Sequence, residues 1–234
     1  MTEYAEQKPL LLAVDCIIFG FEGVNLKLLC IQRAFEPGKG KWSLMGGFLQ
    51  PHEVLDEAAD RILKQLTGLE GVYMEQLYTF SEPARDPAER TVSVAYFALI
   101  DIHRYENQLS DHYHAEWFLL AEKPHLIFDH DDMVLRAQKQ LRYKAAQHPL
   151  LFELLPPKFT IPQLKNLYEG VYETQFDNRN FMRKIANTGL LVKQAEKDKS
   201  GSRKGAFYYK VDKKKYNAKK DSFLNFVLKA EKFL

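Results

Sequence analysis

The chain of 234 residues is 46% hydrophobic and 27% charged, the balance of a folded globular protein rather than a disordered or fibrous one. No apolar run approaches the roughly 20 residues that span a bilayer, and Met1 to Lys8 lacks the apolar core of a secretory leader, so the expected setting is the cytoplasm, away from any membrane. The net charge of +2 conceals two opposed parts: residues 1–150 hold 15 Lys and Arg against 22 Asp and Glu, whereas residues 151–234 hold 18 against 9. A basic terminal portion on an acidic body points to a polyanionic partner; a solvated lysine-rich terminus is the alternative reading of the same charge.

Leu10 to Phe19 is rich in aliphatic and β-branched residues and predicts a buried strand, answered across the turn Phe21 to Asn25 by a second over Leu26–Arg33. Cys16 and Cys30 lie inside these runs and are expected to be buried free thiols. After the loop Pro37-Gly38-Lys39-Gly40, a tight glycine turn at Gly46-Gly47 feeds a helix that ends at Gly68. Ala58, Ala59, Ile62, Leu63 and Leu66 recur there at helical spacing and predict its inner face. Val72 to Phe80, Thr91 to Ile102 and Trp117 to Leu120 predict further strands, and Asp129 to Gln147 an amphipathic helix that starts from an aspartate cap. Strands, a helix, more strands and a closing helix suit an α+β arrangement, a mixed sheet covered by helices.

His148-Pro149 and Leu155-Pro156-Pro157 punctuate the chain and mark the expected division into domains 1–150 and 151–234. Beyond it, Thr160 can cap a helix over Ile161–Glu173 with Leu164, Leu167, Tyr168 and Val171 inward. Asp177 can cap a second, Asn178 to Thr188, which stops at Gly189. Helical spacing gathers Phe181, Met182, Ile185 and Ala186 on one side of it, leaving Arg179, Asn180, Arg183, Lys184 and Asn187 on the other, with Asn178 at its start. Arginine can bridge guanine O6/N7 and asparagine adenine N6/N7, as a major-groove reader requires. Leu190–Glu196 and Ala206–Asp212 read as two strands around a basic tip whose Lys199, Ser202, Arg203 and Lys204 suit phosphates or a minor groove. A helical appendage with a solvated loop is the plainer alternative.

The stretch from Gly47 to Leu69 resembles the Nudix box: Gly47, Glu53, Arg61, Leu63, Gly68 and Leu69 fall on its frame without insertion, and Lys41 to Gly46 resembles the family's approach to it. The three glutamates of the pattern are replaced by Ile62, Gln65 and Leu66. Magnesium demands hard oxygen ligands, so Glu53 alone cannot hold the ion a Nudix hydrolase needs. Glu57 and Asp60 could stand in, but with Glu53 they form a stripe more simply read as a solvated face.

With Ala13 to Phe19, Trp42 to Phe48, Leu126 to His130 and Asp177 to Phe181, the whole chain resembles the Nudix-related transcriptional regulators. The most similar branch responds to sugars such as arabinose; a sister branch senses ADP-ribose and controls NAD biosynthesis. The resemblance implies a Nudix-like αβα sandwich followed by a winged helix-turn-helix, and a homodimer on a palindromic operator of double-stranded DNA. It also implies that the old substrate cleft binds an effector, without catalytic residue, metal or cofactor. Arg33, Glu36, Trp42, Phe48, Glu53, Arg90 and Asp129 are the candidates to line it, Trp42 as an aromatic platform for a sugar. A working diphosphate hydrolase with relocated ligands and an RNA-binding adaptor are the competing classes.

Overall fold

The structure, a computed structural model, describes residues 7–23, 25–105, 107–110, 113–200 and 204–219. It divides into two compact units: one takes the chain to Gly20 and from Lys27 to Ala137, the other Phe21–Leu26 and the chain from Gln138.

The first unit is built on a seven-stranded sheet. Its strands are β1 (Leu11–Glu22), β2 (Asn25–Gln32), β3 (Trp42–Ser43), β4 (Met45–Phe48), β5 (Glu75–Phe80), β6 (Thr91–Asp101) and β7 (Glu116–Leu119). They run in the order β3-β2-β1-β6-β5, with β4 also on β1 and β7 on β2. β1 extends three residues beyond the expected Phe19, because the reversal waits for the left-handed Gly23. β5 is shorter than the expected Val72–Phe80; Val72 is buried in the core but belongs to the irregular connection before the strand.

The two faces of β1 have different tasks, as strand alternation requires. Val14, Cys16 and Ile18 join Met45, Tyr96 and the inner face of α1 (Leu55–Thr67) in one apolar cluster. In α1 Ala58, Ala59, Ile62 and Leu63 are buried as the spacing predicted, while Leu66 is only half-buried and packs on the cluster's edge. The helix closes on Gly68 in the left-handed conformation, and at its start the Glu57 carboxylate accepts from the backbone N–H of the capping residue Val54. The other face of β1 carries Ala13 and the buried charge Asp15.

The expected glycine turn at Gly46-Gly47 is instead the middle of β4, paired to Asp15 and Val14. Each glycine is required by a close approach. A Cβ on Gly46 would stand 2.3 Å from Asp15 Oδ1, and one on Gly47 2.9 Å from Ile62 Cγ1. Both cysteines are free and buried, and burial pushes the pKa of the Cys16 thiol above its ordinary range and that of Cys30 up to about 12.

The helix α2 (His130–Gln147) begins in the first unit and continues into the second. There a three-residue-turn helix (Leu150–Leu154) leads to β8 (Phe159–Thr160), α3 (Ile161–Tyr172), α4 (Asn178–Thr188), β9 (Leu191–Asp198), β10 (Ala206–Val211) and α5 (Lys213–Lys219). Thr160 and Gln163 form a reciprocal capping box on α3, and Asp177 Oδ1 accepts from Asn180 N to cap α4. Leu164, Leu167, Tyr168 and Val171 are buried, and the Tyr168 ring meets Phe181 of α4 edge-on at 5.8 Å. The sheet order β8-β10-β9 completes two helices and a hairpin on one small core. No described helix is long and apolar enough to cross a membrane.

Candidate functional site

Two adjoining clefts open on the first unit and share the Phe128 ring as a wall. The polar one, about 90 Å³, is lined by Asp15, Arg33, Phe35, Phe48, Arg85 and His130 among others. Its larger neighbour, about 440 Å³, lies between Pro37, Lys41, Trp42, Pro87, His125 and Phe128, a volume in the range of small-molecule sites, about 300–1,000 Å³. The Arg33 guanidinium lies over Phe35 at 4.1 Å and Phe128 at 5.4 Å from the ring centroids. Its Nε is buried with no hydrogen-bond partner among the described residues. Burial lowers its pKa, opposed by the carboxylates of Asp86, Asp15 and Glu36.

Behind the polar cleft lies a network of buried charges. Arg85, 3% exposed at its side chain, donates from Nε to Asp129 Oδ2 at 2.9 Å and from a terminal nitrogen to Oδ1 at 2.8 Å, and lies 3.6 Å from Asp15 Oδ2. Ser93 Oγ donates to the same Asp15 oxygen at 2.5 Å. His130 Nδ1 accepts from Leu44 N at 3.1 Å, so the neutral ring keeps its hydrogen on Nε2, 3.7 Å from Asp15 Oδ1. Burial is the main cause that lowers the His130 pKa, against the attraction of Asp15 and Asp129. A depressed imidazole pKa means the unfolded chain binds the proton more readily, so this group's contribution to stability is present above about pH 6.5 and lost as pH falls below it. Thermal melts between pH 7 and pH 5 should show a smaller loss in His130→Asn, which keeps an acceptor for Leu44, than in the parent chain.

The structure thus gathers Arg33 and Phe48 at the polar cleft and places Asp129 on its buried arginine, while Trp42 belongs to the neighbouring cleft. Trp42 packs edge-on against Phe118 at 4.7 Å. Glu36, Glu53 and Arg90 line neither cleft. Glu36 accepts from Gly38 N at 2.7 Å and shapes its own loop, and Arg90 donates to the carbonyls of Ser81, Glu82 and Thr91. Asp15, Arg85 and His130 escaped the sequence reading.

On the box, the Glu53 carboxylate is taken up by Arg61, which donates from Nε at 2.8 Å and a terminal nitrogen at 2.6 Å, and by Gln50 N at 2.8 Å. The hydrogen bond from Arg61 is the main cause that lowers the Glu53 pKa. Ile62 is buried under Gly47, Leu66 is half-buried and Gln65 is exposed. Glu57 caps its helix, and Asp56 accepts from Tyr96 Oη at 2.6 Å. Among the described residues no three His, Cys, Asp or Glu side chains converge as metal ligands.

In the second unit α4 exposes Asn178, Arg179, Asn180, Arg183 and Asn187. Asn180 Oδ1 accepts from Arg183 at 2.9 Å, and Lys184 is half-buried with its pKa lowered by burial first and by Arg183 second. The apolar back is narrower than the periodicity predicted: Phe181 and Ile185 are buried, but Met182 is half exposed and Ala186 is exposed, because a single small core lies against one side. β9 runs two residues past the expected Glu196, so Lys197 belongs to the strand. Lys199 and Lys204 flank the tip; Ser202 and Arg203 lie outside the described residues.

Fold and site together define a Nudix-like α+β domain followed by a winged-helix DNA-binding domain. A family model for the NUDIX domain matches residues 9–140, and one for the NrtR DNA-binding winged helix domain matches residues 151–211. The chain belongs to this family of NUDIX proteins carrying an NrtR winged helix. It is 34% identical over 202 residues to the ADPR responsive transcriptional repressor NtrR of Acinetobacter baylyi, covering 85% of this chain and 81% of that one. It is 37% identical over 123 residues to an ADP-ribose pyrophosphatase of Methanocaldococcus jannaschii, 52% of this chain and 69% of that one. Shewanella oneidensis NrtR complexed with a 27mer DNA superposes with a TM-score of 0.74 at 28% identity, covering 92% of this chain and 98% of that one. The NUDIX domain of the same protein, complexed with ADP ribose, gives 0.50 at 32% identity over 60% and 99%.

Proposed function

We propose that this protein is a DNA-binding repressor whose Nudix domain, residues 1–150, binds ADP-ribose without cleaving it, and whose winged helix, residues 151–234, reads an operator as a homodimer. The observation that carries the non-catalytic half is Ile62, buried where the box would hold a carboxylate, beside a Glu53 committed to Arg61. The sugar-responsive branch expected from the sequence is displaced by its stated alternative: the Acinetobacter repressor responds to ADPR, and the Shewanella NUDIX domain was crystallised with ADP ribose. The clefts agree in chemistry. Arg33, with its unpaired Nε, offers charge to a diphosphate, and the Phe128 and Trp42 walls offer apolar surface to a base. Arg179, Asn180, Arg183 and Asn187 form the exposed edge of α4 that would enter the major groove of each palindromic half-site.

Thermal shift separates the candidate effectors, since a ligand at 100 times its Kd stabilises the native state by about 2.7 kcal/mol. ADP-ribose is expected to raise the melting temperature and arabinose to leave it unchanged. Arg33→Ala should abolish the rise while duplex binding persists. The pyrophosphatase reading, favoured by the Methanocaldococcus relative, is tested by incubation of ADP-ribose with Mg²⁺. Turnover abolished by Glu53→Gln would establish it in place of the sensor.

A further inference from the structure

Among the described residues only Phe128 lines both clefts, and its backbone is unusual. Ile127 to His130 form a tight turn closed by His130 N, which donates to Ile127 O at 3.1 Å, and Phe128, the first central residue, has a φ of 52°. A positive φ at that place belongs by preference to glycine, asparagine or aspartate, and a bulky side chain there is strained. Strain of this kind persists only where the surroundings hold it. Here the chain is tied down on both sides of Phe128. Leu126 N donates to Asp131 Oδ2 at 3.2 Å and Ile127 N to Trp42 O at 3.0 Å. Asp129 accepts two hydrogen bonds from Arg85, and the buried His130 accepts from Leu44 N. Core packing does not explain the ring itself. It is half-buried, stands edge-on to His130 at 5.8 Å between centroids, and has the Arg33 guanidinium at 5.4 Å. The turn alone is served best by glycine; the ring has its use in the clefts it separates.

We infer that Phe128 is the specificity-determining residue of the effector site, a strained partition that makes the site select a two-part ligand: a sugar phosphate in the polar cleft joined to a nucleoside in the larger one. The polar cleft, about 90 Å³, lies below the about 300–1,000 Å³ of small-molecule sites and has room for part of a ligand only. Arg33 supplies its cation, with a buried Nε that has no partner among the described residues. The larger cleft, about 440 Å³, offers Pro37, Trp42, Pro87 and Ile127 to an apolar ring. A ligand that fills both clefts meets Phe128 from each, whereas either half meets it from one. The left-handed backbone fixes the ring between them before binding, so its ordering is not charged against the ligand. This inference rests on the ADP-ribose reading and deepens it, by naming the residue through which the site distinguishes ADP-ribose from its own halves.

The test titrates the full chain with ADP-ribose, AMP and ribose 5-phosphate by isothermal titration calorimetry. The parent should bind ADP-ribose about 100-fold or more tighter than either half, since the second part of a joined ligand binds at high effective concentration. Phe128→Ala should weaken each half about fivefold and ADP-ribose about 25-fold, because the two-part ligand loses both contacts. Phe128→Gly, which also lacks the ring but is at ease in the turn, should repeat that pattern. In urea without ligand, Phe128→Gly should unfold at a higher midpoint than Phe128→Ala, the reverse of the usual order of these two residues. A loss for ADP-ribose no greater than that for its halves, in both variants, would overturn the partition. A lower midpoint for Phe128→Gly than for Phe128→Ala would overturn the strained turn. If the parent chain bound none of the three ligands, the failure would lie with the ADP-ribose reading.

Discussion

Ile62→Glu, which writes one box glutamate back into the chain, is expected to destabilise the Nudix unit rather than restore a metal site. Ile62 is 2% exposed, packed against Gly47 and surrounded by the apolar cluster of α1 and β1. A carboxylate there would have its pKa raised by desolvation, by as much as several units for a fully buried group. If it is driven to the neutral form at pH 7, protonation alone costs about 3–4 kcal/mol, before the lost packing of the isoleucine is counted. The folded-state pKa being raised, the penalty is absent below the unfolded value of about 4.3 and grows as pH rises. Differential scanning calorimetry should therefore show the gap between variant and parent widening from pH 4 to pH 8. Gln65→Glu on the exposed side of the same helix should stay within about 0.5 kcal/mol of the parent. Were Ile62→Glu as stable as the parent at pH 8, its position would be open to water and to cations, and the argument against cleavage would lose its footing.

The helix bearing this residue was legible because everything that defines it is local. An apolar stripe, an acidic first turn and a left-handed glycine lie within one window. The same holds for α4, whose Asp177 and Gly189 mark both ends in the sequence. β3 and β4 were not legible. The segment from Trp42 to Phe48 is short and holds two glycines, which read as a turn; what makes them strand is backbone pairing with β1, and the Asp15 carboxylate and the Ile62 side chain leave no room there for a Cβ. Glycine in a strand marks a close approach, but sequence does not name what approaches.

The site was less legible than the fold for the same reason. Arg85 meets Asp129 from 44 residues away, and it sits in a proline-rich loop with no periodicity to single it out. One signal was available. Asp15 interrupts an otherwise apolar run from Leu10 to Phe19, and a charge inside a buried strand must find a partner. Glu53 misled in the opposite direction: its place in the box frame brought it into the candidate set, but Arg61 eight residues later, at a frame position of its own, claims it.

Arg85→Met should be the most damaging single change at the polar cleft. It removes the cation that lies between Asp129 and Asp15, whose side chains are 18% and 6% exposed, and leaves two carboxylates facing one another. Breaking a buried pair on one side costs about 3–5 kcal/mol, because the remaining charge is uncompensated. Asp129→Asn alone should cost less, since Arg85 keeps Asp15 and the asparagine oxygen can still accept from its guanidinium. In Arg85→Met the same Asp129→Asn change should be stabilising, as it then deletes one of two unpaired charges. A double-mutant cycle in urea therefore predicts strong coupling, with the double variant more stable than Arg85→Met. Independent, additive effects of the two substitutions would mean that water, not Arg85, compensates these carboxylates, and the network would no longer count as the rigid back wall of the cleft.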